Sequence, residues 1–195
     1  MKFIAHRINK VEELIALPKE YGVELDLRDY GNDLVLEHDP FVGGELFEDY
    51  LKEYEHGLMI LNIKSERIEF RVLELLKKYN ISDYFFLDSS FPMIHFLALQ
   101  GEHNCAIRFS EYEGLDTVLA MKGRVKWVWV DCFSKLPLDN LSFNILKENG
   151  FKLCLVSPEL QGRDDDIEYY KAYLDKEQIE FDLICTKHYN VARWS

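Results

Sequence analysis

The sequence predicts an α/β fold in which a parallel sheet alternates with helices, and two observations carry that prediction. Eight strand-like apolar runs recur along the 195 residues, and amphipathic stretches at helical spacing separate them. The strand-like runs lie at about 2–6, 22–28, 58–64, 83–89, 105–110, 125–132, 151–157 and 181–186. Eight such units suggest a compact (β/α)8 TIM barrel. Barrels of this type run to about 250 residues, so the loops here must be short. Only nine residues follow the last run, so the closing helix is short or missing. An open, doubly wound sheet is the alternative architecture.

The helical stretches follow from apolar spacing. Residues 10–20 carry Val11, Leu14, Ile15 and Leu17. Residues 44–56 carry Leu46, Phe47, Tyr50, Leu51 and Tyr54, and residues 66–79 carry Ile68, Val72, Leu75 and Leu76. Further helices are expected at 92–100, 114–122, 139–149 and 164–178. Asp139 and Asp164 stand where N-caps belong, and Gly101 and Gly150 where helices end. With no linker, repeat or low-complexity tract, residues 1–195 read as one domain.

Composition narrows the function classes. The chain is 48% hydrophobic and 30% charged, which fits a folded globular protein rather than a disordered one. Its net charge of −12 repels nucleic-acid phosphates and anionic membranes. The expectation is therefore no nucleic-acid partner and no stable membrane association. The N-terminal run Met-Lys-Phe-Ile-Ala-His lacks the long apolar stretch of a signal peptide, and no run approaches membrane-spanning length. Cys105, Cys132, Cys154 and Cys185 are widely spaced in apolar runs and read as reduced core thiols. Together these features predict a cytoplasmic protein.

The chemistry-bearing residues sit mostly in the first 40 positions. In Gly-Val-Glu-Leu-Asp-Leu-Arg (22–28), Val23, Leu25 and Leu27 share one strand face, and Glu24 and Asp26 share the other. Two carboxylates on one face of a core strand repel each other and are costly to bury, so a cation between them is expected. His6-Arg7 ends the first strand, and Lys64 ends the third. If the fold is a barrel, these residues meet at the C-terminal rim, where such folds place active sites.

His6-Arg7, then Glu24-x-Asp26, then His38-Asp39 about a dozen residues later resemble the glycerophosphodiester phosphodiesterase family, within the superfamily of phosphatidylinositol-specific phospholipase C-like phosphodiesterases. The Gly31-Asn32 turn before Leu-Val-Leu-Glu-His-Asp (34–39) is similar to that family's hairpin. The resemblance implies a TIM barrel, and it implies that His6 and His38 act as a general acid/base pair. Two positions depart from the pattern: Ile8 stands where the family has Gly, and Asn62 where it has a third carboxylate.

Hard divalent ions prefer carboxylate oxygens, so Glu24 and Asp26 are the first expected ligands of Ca²⁺ or Mg²⁺. Asn62 offers a carbonyl oxygen without charge, so binding is expected to be weak. Asp131 shares its strand face with Trp127 and Trp129 and is the best candidate for an added ligand, with Glu111 behind it. Both also fit structural salt bridges. Arg7 and Lys64 are expected to stabilise charge on a phosphoryl group. Arg108 lies opposite Ile107 and Phe109 and fits either an inward cation or a salt bridge. Ser89 and Ser90 fit either substrate contacts or a helix cap. The expected activity is a metal-assisted phosphodiesterase acting on a small glycerophosphodiester-like or sugar-linked phosphodiester. The alternatives are a non-catalytic phosphate-ligand-binding barrel with an impaired metal site, and a metal-independent enzyme.

Overall fold

The computed structural model describes residues 2–195. Ten strands and eight α-helices follow in the order β1 (Lys2–Ala5), α1 (Val11–Ala16), β2 (Gly22–Tyr30), β3 (Asp33–Leu36), β4 (Glu45–Leu46), α2 (Phe47–Lys52), β5 (Met59–Ile63), α3 (Glu69–Lys78), β6 (Tyr84–Leu87), α4 (Phe91–Leu99), β7 (Ala106–Phe109), α5 (Leu115–Ala120), β8 (Trp127–Val130), α6 (Asn140–Glu148), β9 (Lys152–Val156), α7 (Ile167–Glu177), β10 (Leu183–Thr186) and α8 (Val191–Trp194). Every one of the eight expected strand runs holds a parallel strand: β1, β2, β5, β6, β7, β8, β9 and β10. The final helix is four residues long, as the short remaining chain requires.

Parallel ladders join β6–β5–β2–β1–β10–β9–β8–β7 into one curled sheet. Between β6 and β7 there is no ladder. A single parallel bridge, Phe86 to Cys105, is the pairing at that seam. The fold is therefore TIM-like, with a curled sheet whose ladder stays open on one side. The hairpin adds what alternation alone does not reveal. β2 runs past the rim to Tyr30, turns at Gly31 in left-handed backbone (φ 62°), and returns antiparallel as β3, which pairs with β4.

The pleat sorts the side chains into two cores. Val23, Leu25 and Leu27 pack outward with helix residues such as Leu14, Val72, Val118 and Leu146. A smaller cluster of Ile4, Ile60, Phe85, Leu87, Trp127, Trp129, Cys154, Val156 and Cys185 fills the inside of the curl. Trp127 and Trp129 are thus core residues, and Phe85 stacks on Trp127 with ring centroids 4.8 Å apart. All four cysteines are free and buried. No helix among the described residues is long and apolar enough to cross a membrane.

Helix ends follow local chemistry. Asp139 accepts from Ser142 N–H, and the two side chains complete a capping box at α6. Gly150, at φ 82°, continues the chain beyond that helix in a conformation that suits glycine. Asp164 does not cap α7. It opens a 3₁₀ turn (Asp164–Asp166) and binds Arg193 instead, because the last turn of the chain packs back against the start of α7.

Candidate active site

Glu24 and Asp26 project into the mouth of the curl from β2, each only 1% exposed. Asn62 is level with Asp26 on neighbouring β5. Its amide donates to Glu24 Oε1 at 2.8 Å. The other Glu24 oxygen accepts the Arg7 backbone N–H at 2.8 Å and lies 3.7 Å from His6 Nε2. Burial, then the neighbouring Asp26 charge, push the Glu24 carboxyl up to about 7. The pair therefore resists holding two negative charges at neutral pH without a cation.

Three cations crowd the same mouth. Arg7 Nε lies 3.3 Å from Asp26 Oδ2, and Lys64 Nζ lies 3.5 Å from Asp26 Oδ1. Lys187, one residue beyond β10, donates from Nζ to His6 Nδ1 at 3.0 Å. That contact fixes the imidazole: Nδ1 is the acceptor, so Nε2 carries the hydrogen and faces Glu24. Burial, helped by the charges of Lys187 and Arg7, pushes the His6 pKa down to about 3. His6 is thus a neutral ring at physiological pH. Arg7 sits at φ 57°, an uncommon conformation for a side-chain-bearing residue, and is held there by Arg7 N–H and Ile8 N–H donating to Glu24.

The chemistry of a hard cation fits this oxygen set. Asn62 Oδ1 is buried with no hydrogen-bond partner, and Asp26 Oδ1 is buried with no hydrogen bond, its near neighbour being Lys64 Nζ at 3.5 Å. Unpartnered buried oxygens are costly unless something donates to or coordinates them. Among the described residues, no group of three or more His, Cys, Asp or Glu side chains is placed to hold a metal. The set is two carboxylates and one amide, so it carries at most two negative charges.

Asp131 does not join them. Its Oδ2 accepts from Arg108 at 2.5 Å and from Trp129 Nε1 at 3.3 Å. Its Oδ1 accepts from Cys132 N–H and Gln161. Arg108 points inward, as its strand position implies, but forms a two-pronged pair with Asp88 as well as the bond to Asp131. Glu111 is also engaged elsewhere, accepting from the backbone of Phe133, Ser134 and Lys135. Ser89 is buried and donates to Glu69, and Ser90 precedes α4 without a side-chain cap bond.

His38 stands on the loop after β3, its ring 42% exposed and 2.7 Å from Asp39. Its carbonyl accepts from Arg28. Its side chain pairs with Asp39 and makes no hydrogen bond or ion pair to Glu24 or Asp26. His188, by contrast, is exposed and packs edge-on against Tyr189.

Asn9 and Lys187 join this cluster, and sequence reasoning missed both. Asn9 donates to Asp26 Oδ2 at 2.9 Å and accepts the Asp26 backbone N–H at 2.8 Å, clamping the carboxylate. The rule that singles out Lys64, a cation just past a strand end, also applies to Lys187.

No protein-family model matches the sequence, and no curated protein matches it. Solved structures do. A glycerophosphodiester phosphodiesterase from Agrobacterium tumefaciens strain C58 superposes with TM-score 0.71 at 12% identity, over 96% of this chain and 97% of that one. A protein of the same strain, assigned as a glycerophosphoryl diester phosphodiesterase, gives TM-score 0.71 at 12% identity over 99% and 96%. The chain has the fold of these proteins. At this identity the match concerns the backbone, and the chemistry rests on the side chains at the mouth.

Proposed function

We propose that this protein is a phosphodiesterase that cleaves a small phosphodiester at the mouth of the curl. The observation that carries the reading is the buried Glu24–Asp26 pair, which meets a neutral histidine and three cations from separate strand ends. A diester phosphate is singly charged and needs local positive charge in a chain of net charge −12. Arg7, Lys64 and Lys187 supply it. They are preorganised by Asp26 and His6 and stabilise charge that builds on the phosphoryl oxygens. His6 and His38 act as the acid/base pair. His6, neutral, takes the base role, its Nδ1 lone pair freed when Lys187 turns to the phosphate, and His38 protonates the leaving alkoxide. The nucleophile is a water or a neighbouring substrate hydroxyl.

Glu24, Asp26 and Asn62 would hold a divalent cation such as Ca²⁺ or Mg²⁺, weakly because only two of the three are charged. When bound, such an ion supplies Lewis-acid polarisation of a phosphoryl oxygen. A metal-independent version of the reading is favoured by one contact, Lys64 Nζ beside Asp26 Oδ1. In it the ammonium takes the place of the metal charge.

The test is hydrolysis of an activated phosphodiester by purified protein. His6→Ala and His38→Ala are each expected to lower kcat at least ~10²-fold. Activity untouched by either substitution removes the acid/base assignment. Retained chelator-resistant activity selects the metal-independent version.

A further inference from the structure

A cavity of about 370 Å³ opens beside His6, Arg7 and Lys187, between α1 and the segment that follows β10. One side is the polar machinery already described. The other side is formed by Ile8, Ala16, Leu17 and Pro18. Ile8 directly follows the His6-Arg7 pair, so its side chain sets an apolar wall beside the polar machinery. It is buried, and its backbone N–H is tied to the Glu24 carbonyl at 2.9 Å, which fixes the wall relative to the carboxylate pair.

The wall offers few hydrogen-bonding groups. The Leu17 carbonyl already accepts from His56 Nε2 at 3.0 Å, and the Pro18 carbonyl accepts from Tyr21 N–H at 3.1 Å. A hydroxyl placed against the buried Ile8 and Leu17 side chains would lose water on that side and find no replacement there, and Ala16 and Pro18 extend the apolar wall to the exposed rim. Polar groups in the lining, Glu13, His188 and Tyr189, are exposed. At roughly 30 Å³ per small group, the volume admits an arm of roughly a dozen non-hydrogen atoms, larger than glycerol.

We propose that this cavity receives one alcohol arm of the phosphodiester and selects an arm with an apolar body over a small or polyhydroxyl one. The inference rests on the phosphodiesterase reading for the position of the phosphate, which would lie between Arg7 and Lys187 with the arm directed at Ile8. The reaction is hydrolysis: water adds to phosphorus, the P–O bond to one alcohol breaks, and that alcohol leaves with a proton. The cavity's part is to bind and orient the arm.

The experiment compares methyl, butyl and benzyl esters of glycerol phosphate, measuring kcat/KM by chromatographic release of the alcohol. Binding of benzyl phosphate and methyl phosphate is measured in parallel by calorimetry. The benzyl ester is expected to exceed the methyl ester at least about tenfold in kcat/KM, the smallest discrimination typical of an apolar pocket. Benzyl phosphate is expected to bind more tightly than methyl phosphate. Ala16→Phe, on the exposed side of α1, fills the cavity and should collapse both preferences towards unity. Equal values for the three esters, or preferences unmoved by Ala16→Phe, overturn the inference. If no ester is hydrolysed but the benzyl preference in binding is present and lost in Ala16→Phe, the cavity assignment stands and the enzyme reading falls. If nothing is hydrolysed and the two phosphates bind equally, both fall.

Discussion

Replacing Asn62 by glutamate tests the carboxylate cluster most directly. The amide of Asn62 donates 2.8 Å to Glu24 Oε1, so Asn62→Glu first deletes a hydrogen bond to a buried carboxylate. Such a bond is worth roughly 1.5–3 kcal/mol. The substitution also adds a third acid beside two that are already 1% exposed. A charge pair about 4 Å apart at an effective dielectric near 20 repels by about 4 kcal/mol. Proton uptake relieves part of this, since Glu24 is already pushed up to about 7. A net loss of about 3 kcal/mol in metal-free buffer is expected, or roughly 6–12 °C in Tm for a chain of this size. A divalent cation reverses the sign of the effect, because a third negative ligand strengthens the site. At a hundredfold excess over its Kd the ion returns about 2.7 kcal/mol, nearly the whole loss. The assay is thermal unfolding of both proteins with chelator and across a Ca²⁺ and Mg²⁺ series, with calorimetric titration alongside. The unmodified protein should show little response to metal, and the variant a strong one. A variant as stable as its parent in chelator would mean that the carboxylates are not electrostatically coupled. A variant whose Tm ignores both ions would refute the cation site.

Two further predictions concern charge at the mouth. The His6 pKa lies well below the usual 6.5, so its contribution to stability is complete above that pH and is lost as pH falls towards 3; the Glu24 pKa is raised from 4.5 to about 7, so its contribution is present below 4.5 and is lost as pH rises to 7. The two effects oppose each other between pH 4.5 and 6.5, so in urea unfolding Glu24→Gln should turn a flat metal-free profile into a rising one, and parallel profiles would contradict both shifts. Arg108→Met removes the charged donor from Asp131 and Asp88, leaving Asp131 its neutral donors and Asp88 the nearby Lys64, and should cost roughly 1.5–3 kcal/mol by the same assay, the range for hydrogen bonds to charged groups. A cost under about 1 kcal/mol would mean that Asp131 does not depend on Arg108 and is open to other partners.

Much of the strand pattern and the polar face of β2 was legible in the sequence. Alternation of Val23, Leu25 and Leu27 with Glu24 and Asp26 is a local property of the pleat, so it survives folding unchanged. So do most helix stretches, because spacing along one helix needs no knowledge of its neighbours; the stretch expected over 44–56 holds helix only at Phe47–Lys52, because Glu45–Leu46 pairs with β3 as β4. The resemblance carried by the His-Arg, Glu-x-Asp and His-Asp spacing implied a TIM barrel, which matches the TIM-like strand order but not the ladder left open between β6 and β7. The hairpin was visible as a turn, although the pairing of β3 with β4 was not.

Tertiary structure alone decided which partners each charge meets. The sequence places Asp131 on an inward face, but both Asp131 and Arg108 point inward from adjacent strands, and opposite charges that meet there neutralise each other. Nothing local distinguishes that outcome from a metal ligand. Lys187 reaches His6 across 181 positions, and Asn9 clamps Asp26 because β1 and β2 lie side by side. Nor does spacing reveal that the ladder fails between β6 and β7, since a seam depends on the register of strands joined through an entire turn of the sheet. Sequence periodicity determines which face a residue occupies. The groups across from that face are set by strand order and register, which are properties of the whole chain, and they determine whether a buried carboxylate is paired, protonated or left for a cation.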